Sequence, residues 1–278
     1  MHATDLCLSD QPIDMENQML EVTPIRAFHD NYLWLFRQSG SRECGIVDPG
    51  DAAPILRYLQ EHDLELKAIL ITHHHADHTG GIQQLLEHFE VPVYGPASPN
   101  IPAVTHTLSN SDRINVFKEE FQVIEIPGHT LDHIAYCTPG SDSQDPVLFC
   151  GDTLFAGGCG RVFEGTHTMM HNSLQKLAKL DPDTSVYCAH EYTIANLNFA
   201  RAVSPENKTL SDRINLEQEK RDQDIPTVPT SIRVELDTNP FLRCEEQELV
   251  NAATQHAGKD MSSPEEVFAV IRRWKDSF

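Results

Sequence analysis

One stretch, Ala68-Ile-Leu-Ile-Thr-His-His-His-Ala-Asp-His-Thr-Gly-Gly81, constrains this 278-residue chain more than any other. The apolar run Ala68 to Ile71 reads as a buried strand. It breaks into a turn crowded with imidazole and carboxylate groups, and helical spacing follows at Ile82, Leu85, Leu86 and Phe89. The cluster therefore sits at the carboxyl end of a strand, where open α/β folds place their sites. His73 and His75 stand two apart, so an extended backbone points both to one side and His74 to the other. Asp77 and His78 reach a second point nearby. Two imidazoles one way, with a carboxylate and an imidazole another way, suit two divalent cations better than one. A His-rich surface tract is the alternative, but strand, ligand types, spacing and the Gly80-Gly81 pair argue against it.

The pattern His-x-His-x-Asp-His resembles that of the metallo-β-lactamase superfamily of binuclear metallohydrolases. The other ligands must then come from downstream, and three more strands end in suitable residues. Phe121 to Ile126 runs into Pro127-Gly-His-Thr130, Pro146 to Cys150 into Gly151-Asp-Thr153, and Thr184 to Ala189 into His190-Glu-Tyr192. A common sheet edge would gather these ends. His129 completes a three-imidazole group with His73 and His75. Asp77, His78 and His190 form the second group, and Asp152 bridges, because a carboxylate has two oxygens. Nitrogen and oxygen donors of this mix suit zinc, and also iron or manganese. His74 and His133, beside ligands, serve to orient them. His29, His62, His88, His106, His167, His171 and His256 read as solvated or packed.

Ahead of the cluster, Pro24 to Phe36 and Cys44 to Asp48 read as two strands joined by a turn at Gln38 to Arg42, with a first helix at Ile55, Leu56 and Leu59. Val91 to Tyr94 is another strand, placed by Pro92 at an edge or near its start. The glycine-rich run from Leu154 to Gly165 reads as a loop with Arg161 beside Asp152, and a helix carrying Leu174, Leu177 and Ala178 follows. Beyond His190 charged helical stretches dominate, closing in helices at about 245–256 and 264–276. Ser263-Pro264-Glu265-Glu266 starts the last one, with Val267, Ile271 and Trp274 as its buried stripe and Arg272 and Lys275 on another face.

Composition excludes several classes. The formal charge of −21 repels nucleic-acid phosphates. No apolar run approaches the roughly 20 residues of a membrane span. Seven cysteines without C-x-x-C pairs fit reduced thiols and a cytoplasmic protein. Residues 1–18, polar and acidic, read as a loose tail rather than a signal peptide, with Met15 and Met19 as alternative starts. The expected division is 1–18 tail, 19–190 catalytic domain and 191–278 helical substrate-binding domain.

From Val22 onward the chain is similar to glyoxalase II, the hydroxyacylglutathione hydrolases. The matching pieces are Asp30-Asn-Tyr32, Ile46-Val-Asp-Pro49, Thr72 to His78, Pro127-Gly-His-Thr130, Cys150 to Phe155, Gly158-Cys-Gly-Arg161, Cys188 to Thr193, Asn239-Pro-Phe241 and Ala269 to Asp276. The resemblance implies an α/β fold, an αβ/βα metallo-β-lactamase-like sandwich with a smaller C-terminal all-helical domain. It implies cleavage of the S-D-lactoylglutathione thioester to D-lactate and glutathione by a metal-bridging hydroxide that Asp77 and Asp152 fix in place. Arg161, Phe163, Tyr192, Arg272 and Lys275 occupy the family's substrate-binding positions, with His190 beside them. Some relatives carry Lys at the place of Arg161 and Tyr at that of Phe163, so one hydroxyl contact to glutathione is missing here. The expected partner is a small-molecule glutathione thioester, bound by a monomer, with no nucleic acid and no membrane. A mononuclear-iron sulfur dioxygenase acting on glutathione persulfide is the competing enzyme. A metal-binding structural module without turnover is the non-enzyme alternative.

Overall fold

The computed structural model describes residues 19–141 and 144–278, so the expected tail at 1–18 lies outside the described residues. Six strands form a first sheet in chain order: β1 (Leu20–Ala27), β2 (Asn31–Gln38), β3 (Glu43–Val47), β4 (Glu65–Leu70), β5 (Val93–Pro96) and β6 (His106–Leu108). The first three run antiparallel, and β3 through β6 are parallel. A second sheet uses β7 (Arg113–Val116), β8 (Glu119–Glu125), β9 (Ile134–Cys137), β10 (Val147–Gly151), β13 (Ser185–Cys188) and β14 (Thr230–Ser231), in the order β14-β13-β10-β9-β8-β7. Between β10 and β13 the chain inserts a small hairpin, β11 (Leu154–Phe155) and β12 (Gly158–Cys159).

Strand β2 shows why the sheets face each other. Its residues Tyr32, Trp34 and Phe36 belong to the core between the sheets, whereas Leu33 and Leu35 belong to a second core on the outer side. A period of two with both phases apolar leaves neither face for water. On the inner side the Phe36 ring lies 5.4 Å from Phe121 and 5.9 Å from Phe149, while Trp34 meets Tyr187 edge-on at 5.0 Å. Burying each such ring contributes about 1.5–3 kcal/mol. On the outer side Leu33, Leu35 and Ile46 pack with Ile55 and Leu59 of helix α1 (Ala52–Glu61), capped at its start by Asp51. The short helices α2 (Ala76–Thr79) and α3 (Ile82–Leu86) follow β4, and α4 (His167–Leu177) adds Met170, Leu174 and Leu177 to the inner core.

The C-terminal region folds as α5 (Thr193–Val203), α6 (Lys208–Asp222), α7 (Ile232–Thr238), α8 (Gln247–Ala257) and α9 (Pro264–Asp276). Helix α9 starts where the sequence signal puts it, with the Ser263 side chain accepting from the Glu266 N–H and proline in the first turn. This region also returns β14 to the edge of the second sheet, antiparallel to β13. Among the described residues no helix is long and apolar enough to cross a membrane.

Several expectations need correction. The run from Pro24 to Phe36 is two strands, because Phe28 takes a left-handed conformation (φ 52°) and reverses the chain through His29 and Asp30. Of the two places Pro92 allowed, the start of the strand holds and the edge does not: β5 lies inside its sheet, with β6 as the edge, and Pro92 immediately precedes Val93. The glycine run after Asp152 folds into the β11–β12 hairpin rather than a plain loop. Helix α3 stops at Leu86, so Phe89 packs from the turn beyond it.

Candidate metal centre and substrate cleft

Strands β4, β8, β10 and β13 deliver their carboxyl ends to one edge of the sandwich, and the seven expected ligands meet there. His73 Nε2 and His75 Nδ1 are 3.2 Å apart, and His129 Nε2 lies 3.0 Å from the same His75 nitrogen. In the second group, Asp77 Oδ2 is 3.4 Å from His78 Nε2 and 3.5 Å from His190 Nε2. Asp152 stands between the groups. Its Oδ2 faces His129 Nε2 at 3.3 Å, and its Oδ1 faces His190 Nε2 at 3.3 Å and His78 Nε2 at 3.5 Å. Tetrahedral zinc with bonds of about 2.05 Å has ligand–ligand edges of about 3.3 Å. Both groups have that spacing. Two of the converging atoms, His78 Nε2 and Asp152 Oδ1, are fully buried without a hydrogen-bond partner, an arrangement a cation would satisfy.

The atoms behind the ligands aim them. His129 Nδ1 donates to the Arg161 carbonyl at 2.8 Å, which leaves its Nε2 bare and inward. His190 Nδ1 donates to Asp30 at 2.9 Å and His78 Nδ1 to Asp48 at 3.0 Å. Asp48 also accepts from the N–H and hydroxyl of Thr72, whose oxygen is 3.0 Å from His73 Nδ1. The Asn31 amide donates to Asp77 at 3.0 Å. His133 stacks on His73 at 4.5 Å and accepts the Asp152 backbone N–H on Nε2 while Nδ1 donates to the Ile134 carbonyl. That pattern requires a neutral ring, and burial pushes its pKa down to about 3. His74 points away from the ligands, toward Asp132 and Glu164. Close packing dictates two glycines. A Cβ on Gly151 (φ +48°) would lie 2.4 Å from the Thr72 hydroxyl, and one on Gly50 would lie 1.8 Å from the Asp77 carbonyl oxygen.

Burial would raise the Asp152 carboxyl, but the His78 and His190 imidazoles outweigh it and hold the group well below the usual range. Asp77 behaves likewise, with His78 and Asn31 opposing its burial. His73 and His129 are driven down by burial, whereas Asp152 with Asp48 raises His78, and Asp152 with Asp30 raises His190, against burial. Burial thus opposes charge on His73 and His129, whereas the neighbouring carboxylates favour it on His78 and His190.

Above the ligands opens a cleft of about 490 Å³. His75, Asp77, His129, Asp152 and His190 form its floor, and Phe155, Cys159, Arg161, Phe163, Tyr192, Asn196, Arg272 and Lys275 are among its walls. Tyr192 stacks parallel on His190 at 4.7 Å. Phe163 is 61% exposed at the rim and meets His129 edge-on at 5.3 Å. Arg161 reaches Asp276 through Nε at 3.1 Å. Arg272 is only 4% exposed, whereas the sequence places it merely on a second helix face. Its Nη1 donates to the Cys159 carbonyl at 2.9 Å and its Nη2 to Asp276 at 3.1 Å, over the Phe241 ring. Lys275 sits with Nζ 5.5 Å over the Phe199 ring, and burial together with the Arg272 charge pushes its pKa down to about 8.

Sequence reasoning named the seven candidate ligands that converge here but gave no role to Asp30, Asn31, Asp48, Thr72 or Asp132. Asp48 carried a usable signal: it follows a strand as His129, Asp152 and His190 do.

The metallo-beta-lactamase superfamily profile matches residues 29–190, and the profile of the hydroxyacylglutathione hydrolase C-terminus matches residues 191–278. A hydroxyacylglutathione hydrolase of Nitrosomonas eutropha is 50% identical over 263 residues, covering 94% of this chain and all of that one. One from Pseudomonas aeruginosa is 49% identical over 261 residues with the same coverage. Among solved structures, ETHE1 from Myxococcus xanthus superposes with a TM-score of 0.62 at 22% identity, covering 93% of this chain and 99% of that one. At that identity the likeness concerns the fold.

Proposed function

The chain belongs to the hydroxyacylglutathione hydrolases of the metallo-beta-lactamase superfamily, and from that premise we propose how its residues divide the work. It is a thioester hydrolase. The substrate in this reading is S-D-lactoylglutathione, and the observation that carries the reading is Asp152, whose two oxygens face two separate ligand groups beneath a cleft lined by cations. His73, His75 and His129 would hold one divalent ion and Asp77, His78 and His190 the other, with Asp152 shared. Zinc suits the donor set best, and iron or manganese also fit. Bound there, the ions supply Lewis acidity, lowering the pKa of water and polarising the thioester carbonyl.

The protein's part is placement. Arg161, Arg272 and Lys275 supply positive charge for the glutathione carboxylates, in a chain that is otherwise strongly acidic. Tyr192, stacked on His190, and Phe163 flank the path to the floor. Asp77 and Asp152, both kept ionised, orient the attacking water through their oxygens. The water gives up a proton to solvent as the C–O bond forms, the C–S bond breaks, and glutathione leaves as a thiolate stable enough to need no dedicated acid. Residues 191–278 then serve as the substrate-binding domain. The six described cysteines are free thiols, which suits the cytoplasm.

The test is thioester cleavage by metal-reconstituted protein, run beside an oxygen electrode. Hydrolysis of S-D-lactoylglutathione without oxygen uptake is expected. Oxygen uptake with glutathione persulfide and no thioester cleavage would favour the dioxygenase, which the complete Asp77, His78 and His190 group argues against.

A further inference from the structure

A buried polar strut runs from the helical region to the hairpin that walls the cleft. Glu235 of α7 is fully buried, and its carboxylate takes four hydrogen bonds. Oε1 accepts from Arg213 Nη2 at 2.6 Å and the Thr230 hydroxyl at 2.7 Å. Oε2 accepts from the Gly157 N–H and from Asn239 Nδ2, both at 2.8 Å. Asn239, also fully buried, shares the two hydrogens of that same nitrogen with the Gly158 carbonyl at 2.8 Å and, in a three-centre bond, the Phe155 carbonyl at 3.2 Å. Thus one carboxylate and one amide hold both strands and the turn of the β11–β12 hairpin. Two residues past that turn, the Cys159 carbonyl receives Arg272 Nη1.

We propose that Glu235 and Asn239 are positioning residues for glutathione recognition. They fix the hairpin, and through the Cys159 carbonyl they fix the guanidinium of Arg272. The inference rests on the reading of Arg272 as a substrate clamp. Stability alone is a poor account of the strut, because a buried ion pair such as Arg213–Glu235 is often no better than apolar packing of the same volume. Its bonds instead converge on three backbone groups within four residues of one short hairpin, those of Phe155, Gly157 and Gly158, which apolar packing could not fix in register.

The experiment uses the full, metal-loaded chain with Asn239→Ala and with the double replacement Arg213→Met, Glu235→Leu, which removes both charges together. Both variants should raise KM for the glutathione thioester on the order of tenfold, as for one lost charge-assisted hydrogen bond. KM for a short thioester lacking the glutathione carboxylates should stay put, and so should metal content. Unchanged KM for both substrates, or an equal shift in both, overturns the inference. Should neither variant fold, amide exchange in the unmodified chain decides: Gly157 N–H, though in a turn, must be strongly protected, and fast exchange there overturns the strut. Arg272→Ala is the separate control, since an unmoved KM in that variant means the clamp reading itself fails.

Discussion

The Nδ1 atom of His78 lies 3.0 Å from Oδ2 of Asp48, thirty residues earlier in the chain. Asp48 has a left-handed backbone (φ 51°) at the end of β3, which turns its carboxylate under the neighbouring strand end. The same carboxylate takes the Thr72 N–H and hydroxyl, so it ties β3, β4 and α2 together at the point where the ligands emerge. Because His78 gives its Nδ1 hydrogen to Asp48, its Nε2 is directed inward, and no protein atom satisfies it.

Asp48→Asn should therefore weaken metal binding at the second group without touching a ligand. The amide would present a donor to Nδ1, favour the other tautomer and place a hydrogen on the inward Nε2. Loss of such a supporting bond typically costs about 10–100-fold in metal affinity. Chelator competition on the reconstituted protein measures it. Two ions held as tightly as in the unmodified protein would refute the role given to Asp48.

Asp152→Ala should nearly abolish turnover and lower metal content below two per chain, since one side chain faces both ligand groups. His78→Ala should leave about one ion, because only the second group loses a ligand. Elemental analysis after reconstitution distinguishes the cases. Full activity with normal metal content in Asp152→Ala would remove the bridging assignment.

The sequence made the candidate ligands legible because each is a metal-competent residue in the turn, loop or short helix that follows an apolar strand. The same rule would have reached Asp48, but Asp-Pro-Gly is also good turn chemistry, and that reading hid the second use. Asp30 was hidden differently: the apolar run around it looked like one strand, and only the reversal at Phe28 brings Asp30 to His190. Strands β6, β7 and β9 are three or four residues long, too short for periodicity to show. The burial of Arg272 was not legible. A helix stripe predicts one covered face, whereas α9 is covered on a second side by the β11–β12 hairpin, a contact between residues 113 apart.

Lys275 should give the enzyme an alkaline limit. Its pKa is about 8, lowered first by burial and then by Arg272, with Arg161 acting in the same direction and Asp276 opposing. Below that pH the ammonium is charged and can pair with a substrate carboxylate. As pH rises through about 8 it is lost, so kcat/KM for the glutathione thioester should fall, reporting the free enzyme. Stability should move the other way: between about pH 8 and the usual lysine value of 10.5 the unfolded chain binds more protons, so folding becomes more favourable. Lys275→Arg, with a guanidinium that does not titrate there, should abolish the kinetic limb. An unchanged limb in that variant would assign the pKa elsewhere.

Asp276 presents a sharper test of the cleft's electrostatics. Its Oδ1 accepts from Arg161 Nε and from Arg272 Nη2, both at 3.1 Å, so one protein carboxylate already occupies the two guanidinium groups assigned to substrate. A glutathione thioester arrives with two carboxylates and one ammonium, and meets a like charge at the place it must bind. Arg272 does not need Asp276 for its orientation, since the Cys159 carbonyl and the Phe241 ring hold it independently. Removing the negative charge therefore frees donors without releasing the guanidinium. At partly exposed sites the repulsion between unit charges a few ångströms apart is about 1–4 kcal/mol, so even a screened fraction of it matters. Asp276→Asn should lower KM for the glutathione thioester severalfold at pH 7, with kcat little changed, and the gain should shrink as salt is added. The comparison belongs at pH 7 because losing Asp276 also removes a charge that supports the Lys275 ammonium. A raised KM would instead make Asp276 a necessary holder of Arg272, and the account of the cleft as a partly self-neutralised anion site would fall.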